Sequence, residues 1–364
     1  MKLLVLPGDG VGPEVTAEAL RILRWFAEHR GLTLEVTERG FGLVNWERHG
    51  TLMPDETWAR IEEAEAILFG AVGSLDQQAV IPPEERRKGS LLRMRKGLDL
   101  YANIRPIRLP EALLEASPLK PRVARGADFV ILRELTAGMY FGTPRGVETL
   151  PDGTRRGVNT HSYTEGEIAR AIRFACRLAR ERRGHVTSVD KANVMEAGAL
   201  WREVAGRVAR EEFPDVTLEN MLADNCAIQI ARDPRRFDVI VTDNLFGDLL
   251  SDAGGAILGS LGMLPSASVN DRGQALYEPV HGSAPDIAGE GIANPLGAIL
   301  SAALLLRWSA KQPEDAAMLE RAVDRALDAG ARTADIAAPG EPAVSTSGMG
   351  DAVLRELSLL QGEA

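Results

Sequence analysis

Short apolar runs alternate with helical patterns along most of the chain, and this alternation restricts the fold more than any other feature. The first run, Leu3–Leu6, is followed by a Gly-Pro loop and a helical pattern over about 13–29. Further apolar runs, most of them followed by helical stretches, are Ala66–Phe69, Phe129–Leu132, Val186–Val189 and Val239–Thr242. Strands that alternate with helices are typical of a largely parallel sheet covered by helices. The sequence therefore predicts an α/β protein.

Length, net charge, apolar runs and cysteine content restrict the classes of protein to which this chain can belong. The 364 residues are too many for one ordinary core and suit two domains. A formal net charge of −10 argues against a nucleic-acid-binding protein, because such proteins usually carry a basic patch. No apolar run reaches the roughly 18 residues of a membrane span, so we expect no membrane contact. The two cysteines, Cys176 and Cys226, and a first apolar run too short for a signal peptide predict a cytoplasmic protein.

Three segments are predicted to be turns or loops. Gly8–Pro13 lacks the dinucleotide fingerprint G-x-G-x-x-G, since its third glycine would be Pro13, and it predicts a tight strand-to-helix turn instead. Within Thr143–Thr164, Asp152-Gly153 predicts a hairpin tip. The arms of this hairpin are polar and marginal alone, so we expect them to pack on another surface, with a partner subunit as the candidate. Pro339–Gly350 predicts a surface loop before a last short helix.

Asp248 and Asp252 stand four residues apart in the segment Asn244–Asp252. On a helix both carboxylates would project from one face, roughly 5–6 Å apart at Cβ. Like charges among apolar neighbours repel unless a cation lies between them, and Mg²⁺ or Mn²⁺ prefers such oxygen ligands. The alternative is two solvated aspartates on an exposed face, but the uncharged, small-residue segment Gly259–Ser268 favours a metal site. Asp224 is a candidate third ligand.

Three arginines lie near strand-like segments, namely Arg95, Arg105 and Arg133. A guanidinium presents a planar fork that matches a carboxylate. Arg133 directly follows an apolar run, where a charge is costly unless it meets an anion. Because arginine is abundant in this chain, ordinary surface arginines remain the alternative for any one of them.

Lys191 follows an apolar run and is the only lysine between Lys120 and Lys311. A desolvated lysine can lose its proton, whereas an arginine cannot. A chain that otherwise uses arginine could keep a lysine here because the amine acts as a base. An ion pair with Asp190 at the strand end is equally compatible with the sequence.

A loop of small residues, Glu278–Pro295, contains His281 and Asp286. Backbone amides, an aromatic ring and a carboxylate that can accept both hydrogen bonds of a ribose diol would suit a nucleotide. A loop that simply turns tightly would look much the same.

Four segments together resemble the β-decarboxylating dehydrogenases, that is, the isocitrate/isopropylmalate dehydrogenase family. They are 133–142, 189–194, 244–252 and 281–289, and the resemblance extends from the first strand to about Trp308. It implies a non-Rossmann α/β fold, in which two domains flank the active-site cleft, and a homodimer with an intersubunit β-arm at 143–164. Residues 1–100 and 259–364 would form the cofactor-binding domain, and 101–258 the substrate, metal and dimerisation domain.

The resemblance also implies a metal- and NAD-dependent oxidative decarboxylation. The apolar Leu91 and Leu92 before Arg95 favour 3-isopropylmalate, which would give 4-methyl-2-oxopentanoate in leucine biosynthesis. The alternatives are D-malate or tartrate, and, with less support, homoisocitrate or isocitrate. A non-catalytic subunit of the same fold should have lost its catalytic groups, whereas Lys191 and Tyr140 are present here.

The implied roles follow motif by motif. Asp248 and Asp252 of one subunit and Asp224 of the other would hold Mg²⁺ or Mn²⁺ on the substrate. Lys191 of the partner would act through water as the base while hydride leaves C2 for NAD⁺, and Tyr140 would assist protonation of the product carbon. The substrate contacts would be Arg95, Arg105, Arg133, Leu91, Leu92, Asn193 and Val194. The NAD contacts would be His281, Gly282, Ser283, Ala284, Asp286 and Asn294, with Asp286 disfavouring NADP⁺.

Two positions depart from the pattern of the family. After the equivalent of Ala71-Val72 the family often has Gly-Gly-Pro-Lys-Trp, whereas this chain has Gly73-Ser-Leu-Asp-Gln-Gln. Lys88 stands where a glutamate is common, seven residues before Arg95.

Overall fold

The computed structural model describes residues 1–73 and 81–363, in which the chain forms two compact units. Unit 1 comprises Met1–Leu100, Leu109–Arg125 and Gly255–Ala364, and unit 2 comprises Tyr101–Arg108 and Gly126–Gly254. Both units are α/β, which confirms the predicted fold class. The sequence-based boundaries differ at 109–125 and 255–258, which belong to unit 1. Gly259 lies against the Ala116 carbonyl, so these two stretches pack together.

The secondary structure in the described ranges is as follows. The strands are β1 (Lys2–Gly8), β2 (Glu35–Glu38), β3 (Ala66–Ala71), β4 (Ala102–Arg108), β5 (Asp128–Glu134), β6 (Gly146–Thr149), β7 (Arg155–Val158), β8 (His185–Asp190), β9 (Thr217–Leu222), β10 (Val239–Thr242), β11 (Pro265–Val269) and β12 (Ala275–Pro279). The α-helices are α1 (Gly12–His29), α2 (Leu43–His49), α3 (Asp55–Glu63), α4 (Pro83–Lys88), α5 (Leu91–Gly97), α6 (Pro121–Ala124), α7 (Glu165–Arg180), α8 (Glu196–Glu212), α9 (Ala223–Arg232), α10 (Asn244–Ala256), α11 (Leu296–Trp308), α12 (Pro313–Asp328) and α13 (Thr346–Glu363). None of these helices has both the length and the apolar character needed to cross a membrane.

The strands of unit 1 lie in the order β2-β1-β3-β12-β11. All neighbours pair in parallel except β11 and β12, which are antiparallel. Helices α1, α11, α12 and α13 pack against one another, and α11 is apolar nearly all round because it is buried. The predicted turn after β1 is confirmed, since Gly8 and Gly10 have φ of 74° and 60° and Pro13 lies in the first turn of α1.

The strands of unit 2 lie in the order β4-β5-β10-β8-β9, with β5, β10, β8 and β9 parallel. Helices α7 and α8 pack against each other, and α7 begins with a capping box at Thr164. Arg133 on β5 and Val189 on β8 are both register partners of Thr242 on β10. The residues that follow these strands therefore lie at one edge of the sheet, where α/β proteins commonly bind ligands.

The predicted hairpin is also confirmed. Strands β6 and β7 pair antiparallel, and the Leu150 N–H donates to the Thr154 carbonyl at 2.7 Å around Asp152 and Gly153. Seven of the eight residues in these strands are exposed in the isolated chain. That a partner subunit covers them stays a prediction.

The C-terminal segment differs from its prediction. Helix α13 begins at Thr346, inside the predicted loop, and runs for 18 residues. A Cβ atom at Gly350 would lie 1.8 Å from Glu18 Oε2 on α1, so glycine permits the close approach of the two helices. Gly350, one of the residues that suggested a loop here, serves helix packing.

Candidate functional site

Helix α10 carries the acidic pair at the sheet edge of unit 2. Asp243 follows β10 and caps the helix, because its Oδ1 accepts the Phe246 N–H at 2.8 Å. Asp248 and Asp252 are one turn apart on the helix, as predicted. Both contact the same group, with Arg105 Nη1 lying 3.5 Å from Asp248 Oδ1 and 3.6 Å from Asp252 Oδ1. The two carboxylates thus share one face, on which a cation at Arg105 offsets their repulsion.

The buried guanidinium of Arg133 is paired with an anion, the Asp248 carboxylate. Its side chain is only 2% exposed, and Nη1 donates to Asp248 Oδ1 at 2.5 Å. Arg105 is buried as well, with Nε donating to Asn103 and Nη1 to the Ser251 hydroxyl. Neither is an ordinary surface arginine, so the structure favours the functional interpretation of both.

Tyr140 adds a proton donor to this group. Its hydroxyl donates to Asp248 Oδ2 at 2.9 Å. Desolvation, followed by the hydrogen bond to Asp248, raises the pKa of Tyr140 above its usual value. The phenol is therefore protonated at neutral pH and able to donate.

Lys191 follows β8 but does not pair with Asp190. Its Nζ donates to Asp224 Oδ1 at 2.7 Å, whereas the Asp190 carboxylate accepts two hydrogen bonds from Arg202. The alternative of an ion pair between Lys191 and Asp190 is therefore wrong. The hydrogen bond from Lys191 lowers the pKa of Asp224. Asn193 and Val194, in the turn that follows, are exposed.

Arg95, Leu91 and Leu92 lie on helix α5 in unit 1. Arg95 Nη2 donates to Glu278 Oε1 on β12 at 2.8 Å. Its Nε is buried and has no hydrogen-bond partner among the described residues. Leu91 and Leu92 are half-buried. Lys88, on the preceding helix, pairs with Asp55 at 3.1 Å, and residues 74–80 of the altered loop lie outside the described residues.

The loop after β12 lines a cavity of 620 Å³ in unit 1. Four of the six predicted cofactor residues line it, namely His281, Gly282, Ala284 and Asn294. His281 Nε2 is buried and lacks a partner in the described part of the chain, and burial lowers the pKa of this histidine. A neutral ring next to an open cavity suits a polar ligand such as a nucleotide.

The other two predicted cofactor residues are placed differently. The Ser283 hydroxyl donates to the Gly73 carbonyl. Asp286 is exposed and does not line the cavity, and within the described ranges its carboxylate makes no hydrogen bond. Its carboxylate therefore does not cap the turn after Pro285, and its proposed contact with a ribose stays a prediction.

Comparison with known proteins identifies the family of the chain. The family model described as isocitrate/isopropylmalate dehydrogenase matches residues 2–353. The chain belongs to this family.

The relatives span the whole chain. The 3-isopropylmalate dehydrogenase 1 of Bradyrhizobium diazoefficiens is 54% identical over 99% of this chain and 96% of its own length. The 3-isopropylmalate dehydrogenase of Gluconobacter oxydans is 53% identical over 99% and 98%. Among solved structures, isocitrate dehydrogenase from Methylococcus capsulatus is 31% identical with a TM-score of 0.85, covering 98% of this chain and 99% of its own.

A metal ion needs a set of ligands that lie close together. In residues 1–73 and 81–363, no group of three or more His, Cys, Asp or Glu side chains could hold a metal ion. Asp248 and Asp252 nevertheless supply the carboxylate oxygens that hard divalent cations prefer, and the Asp252 side chain is 57% exposed. These two carboxylates therefore fit a divalent cation as partial ligands.

Sequence reasoning missed several residues that support the site. Asp243 caps α10, Glu278 holds Arg95, and Asp335 lines the cavity and accepts a hydrogen bond from Asn294. Gly10 lies so close to Ser283 that a Cβ atom would be 1.8 Å from its carbonyl oxygen. For Gly10 a signal existed, because a glycine with positive φ at a strand end often marks close backbone contact. Asp243 also had a local signal, since Asp is a preferred N-cap residue, whereas the partners of Glu278 and Asp335 are far away in sequence.

Proposed function

We propose that this protein catalyses the NAD⁺-dependent oxidative decarboxylation of 3-isopropylmalate to 4-methyl-2-oxopentanoate in leucine biosynthesis. Two relatives that are at least 53% identical over nearly their full length bear the name of this activity. The observation that carries the proposal is the contact of Arg133 and Tyr140 with the two oxygens of Asp248. This contact brings together an anion-binding guanidinium (Arg133), a carboxylate of the kind that binds metal ions (Asp248) and a proton donor (Tyr140). We place the reaction in the cytoplasm, where the free Cys176 and Cys226 stay reduced.

Substrate binding would use the three arginines. Arg105 and Arg133 are buried cations whose fork geometry matches a carboxylate. Arg95 keeps a buried Nε–H without a partner among the described residues, and such a group gains most from an added anion. Leu91 and Leu92 offer an apolar surface to a branched side chain, while Asn193 and Val194 would contact substrate in the partner's site. Discrimination by such a surface is modest, about 1–3 kcal/mol per fitted group.

A divalent cation would be held by Asp248 and Asp252, with Asp224 from a second chain. When bound, it would supply Lewis acidity toward the oxygens of the substrate. The nearby Arg105 limits the repulsion between Asp248 and Asp252 before a cation arrives.

Proton transfer would rest on two side chains. Lys191 Nζ would accept the proton of the substrate hydroxyl through a water molecule, which requires the neutral amine. Tyr140 keeps its proton at neutral pH, and it would donate that proton toward the product carbon. Lys191 would thus act as the base and Tyr140 as the acid.

NAD⁺ would bind in the cavity of unit 1 and accept the hydride. The buried, unpartnered His281 Nε2 and the lining residue Asn294 fit a polar heterocycle. Gly282, Ser283 and Ala284 form the backbone beside it, and Asp286 would accept hydrogen bonds from the ribose hydroxyls.

The active protein would be a homodimer with shared sites. Large apolar side chains are exposed on unit 2 beside functional residues: Val194 near Lys191, Ile228 on the helix of Asp224, and Leu249 next to Asp248. Val147 on the hairpin is exposed as well. A second copy of the chain would cover these positions and supply Lys191 and Asp224 to each site.

A substrate panel tests this function. NADH formation is measured with 3-isopropylmalate, D-malate, tartrate and isocitrate, with Mg²⁺ and after exhaustive EDTA treatment. We expect the highest kcat/KM for 3-isopropylmalate and loss of turnover with EDTA that Mg²⁺ restores. A higher kcat/KM for D-malate, tartrate or isocitrate would overturn the substrate assignment, and full activity in EDTA would overturn the metal assignment.

A further inference from the structure

Asn244 contacts the guanidinium of Arg133 on the side away from Asp248. The Arg133 Nε–H lies 2.9 Å from the Asn244 backbone carbonyl and 3.0 Å from Asn244 Oδ1. A long arginine side chain has many rotamers, and two acceptors at Nε select one orientation of the fork. Asn244 is the first residue of α10, so this contact ties Arg133 to the helix that carries Asp248.

Asn244 is itself fixed by two further hydrogen bonds. Its Nδ2 donates to the Ala137 carbonyl at 3.1 Å, which turns Oδ1 toward Arg133. Its backbone N–H donates to the Tyr163 hydroxyl at 2.9 Å. Asn244 is fully buried, so the loss of either partner would leave a polar group unsatisfied.

Tyr163, which accepts the hydrogen bond from the Asn244 N–H, lies at the base of the hairpin arm. Its hydroxyl lies near Glu134, a fully buried carboxylate that accepts from the backbone N–H groups of Thr136 and Ala137. Burial raises the pKa of Tyr163 far above its usual range, so the hydroxyl keeps its proton. A Cβ atom at Gly138 would lie 2.6 Å from this hydroxyl, and the glycine thus leaves room for it.

We propose that Tyr163 and Asn244 are positioning residues that orient Arg133 for binding the substrate carboxylate. Neither residue touches substrate in this scheme. Tyr163 lies at the end of the arm segment 143–164, so the base of the arm determines the orientation of a substrate-binding group. The inference rests on the proposed role of Arg133.

The test is Tyr163→Phe, which removes the hydroxyl but keeps the ring packed on Trp201. Binding of 3-isopropylmalate is measured by calorimetry with Mg²⁺ and without NAD⁺, and steady-state kinetics follow. We expect Kd and KM to rise about tenfold, because Asn244 loses a support and the Arg133 fork loses its fixed orientation, while kcat falls less than about threefold. Asn244→Ala should produce the same pattern, and it decides the question if Tyr163→Phe does not fold.

Tyr277→Phe is the matched control. It deletes the hydroxyl of another buried tyrosine, whose Oη contacts Ser309 Oγ at 2.7 Å in unit 1, and should leave Kd and KM unchanged. Arg133→Lys distinguishes a failure of the proposed substrate-binding role of Arg133 from a failure of the positioning role of Tyr163. If Arg133→Lys weakens substrate binding but folded Tyr163→Phe binds as the wild type does, the positioning role is refuted. If Arg133→Lys binds normally, the role of Arg133 fails and the inference fails with it.

Discussion

At the residue scale, the choice of lysine at position 191 is informative. Lys191→Arg would keep the positive charge beside Asp224, with which Lys191 forms a 2.7 Å hydrogen bond. Arginine cannot give up its proton at working pH, so we expect turnover to fall by about two orders of magnitude or more. NADH formation measures the loss. Lys120→Arg, at an exposed position, is the control and should be fully active. Near-normal turnover of Lys191→Arg would reduce Lys191 to an electrostatic role.

The cofactor preference is a second question at this scale. Asp286→Lys should shift the NAD⁺/NADP⁺ ratio in kcat/KM toward NADP⁺, because the carboxylate repels a 2′-phosphate and an amine attracts it. Glu290→Lys makes the same charge reversal in the same exposed loop and should change the ratio much less. Equal ratios for Asp286→Lys and wild type would show that Asp286 does not contact the ribose.

The chemical requirements of single residues could be predicted from the sequence better than the identity of the residues they contact. The burial of Arg133 and the need for an anion followed from the apolar run before it, and Asp248 is that anion. The partner of Lys191 did not follow, because Asp190 is its sequence neighbour but binds Arg202, which lies on the next helix. Hydrogen-bond partners that are distant in sequence depend on packing, which local patterns do not encode.

At the scale of elements, helix α8 packs directly on the backbone of Lys191. A Cβ atom at Gly198 would lie 2.9 Å from the Lys191 carbonyl carbon and 3.0 Å from the Ala192 nitrogen. Gly198→Ala should therefore lower the free energy of unfolding by about 1–3 kcal/mol and displace Lys191. We expect a lower melting temperature and a reduced kcat.

Gly206→Ala is the control in the same helix. Its Cβ would meet only the end of the Arg210 side chain at 3.2 Å, which can move. The replacement should stabilise the helix by about 0.5–1 kcal/mol and leave kcat unchanged. If both variants behaved alike, contact between α8 and Lys191 would not matter for activity.

Elements with a clear hydrophobic period were predicted well. The expected run Val239–Thr242 is the strand β10, and the other apolar runs lie inside β1, β3, β5 and β8. The start of α13 does not follow from the sequence, because Gly350 serves a close contact with α1 and composition alone cannot separate that use from a loop. The domain boundaries at 109–125 likewise depend on tertiary packing.

At the scale of the whole molecule, the proposed sharing of sites between two chains predicts a dimer. Asp248 and Asp252 are the only acidic pair that the described residues offer on α10, and no third His, Cys, Asp or Glu in those ranges joins them in one metal site. Sedimentation at assay concentration should show a dimer. A fully active monomer would contradict the proposed sharing of sites.

Mixing of inactive variants tests the sharing directly. Lys191→Ala and Asp248→Asn should each be nearly inactive as homodimers. In a mixed dimer, a shared arrangement gives one site with both changes and one site with neither. With random assembly half of the dimers are mixed, so co-expression of the two differently tagged chains should restore about a quarter of wild-type activity per site. Tandem affinity purification of the mixed dimer should raise this to about half. If each site came from a single chain, every site would carry one change and the mixture would stay inactive.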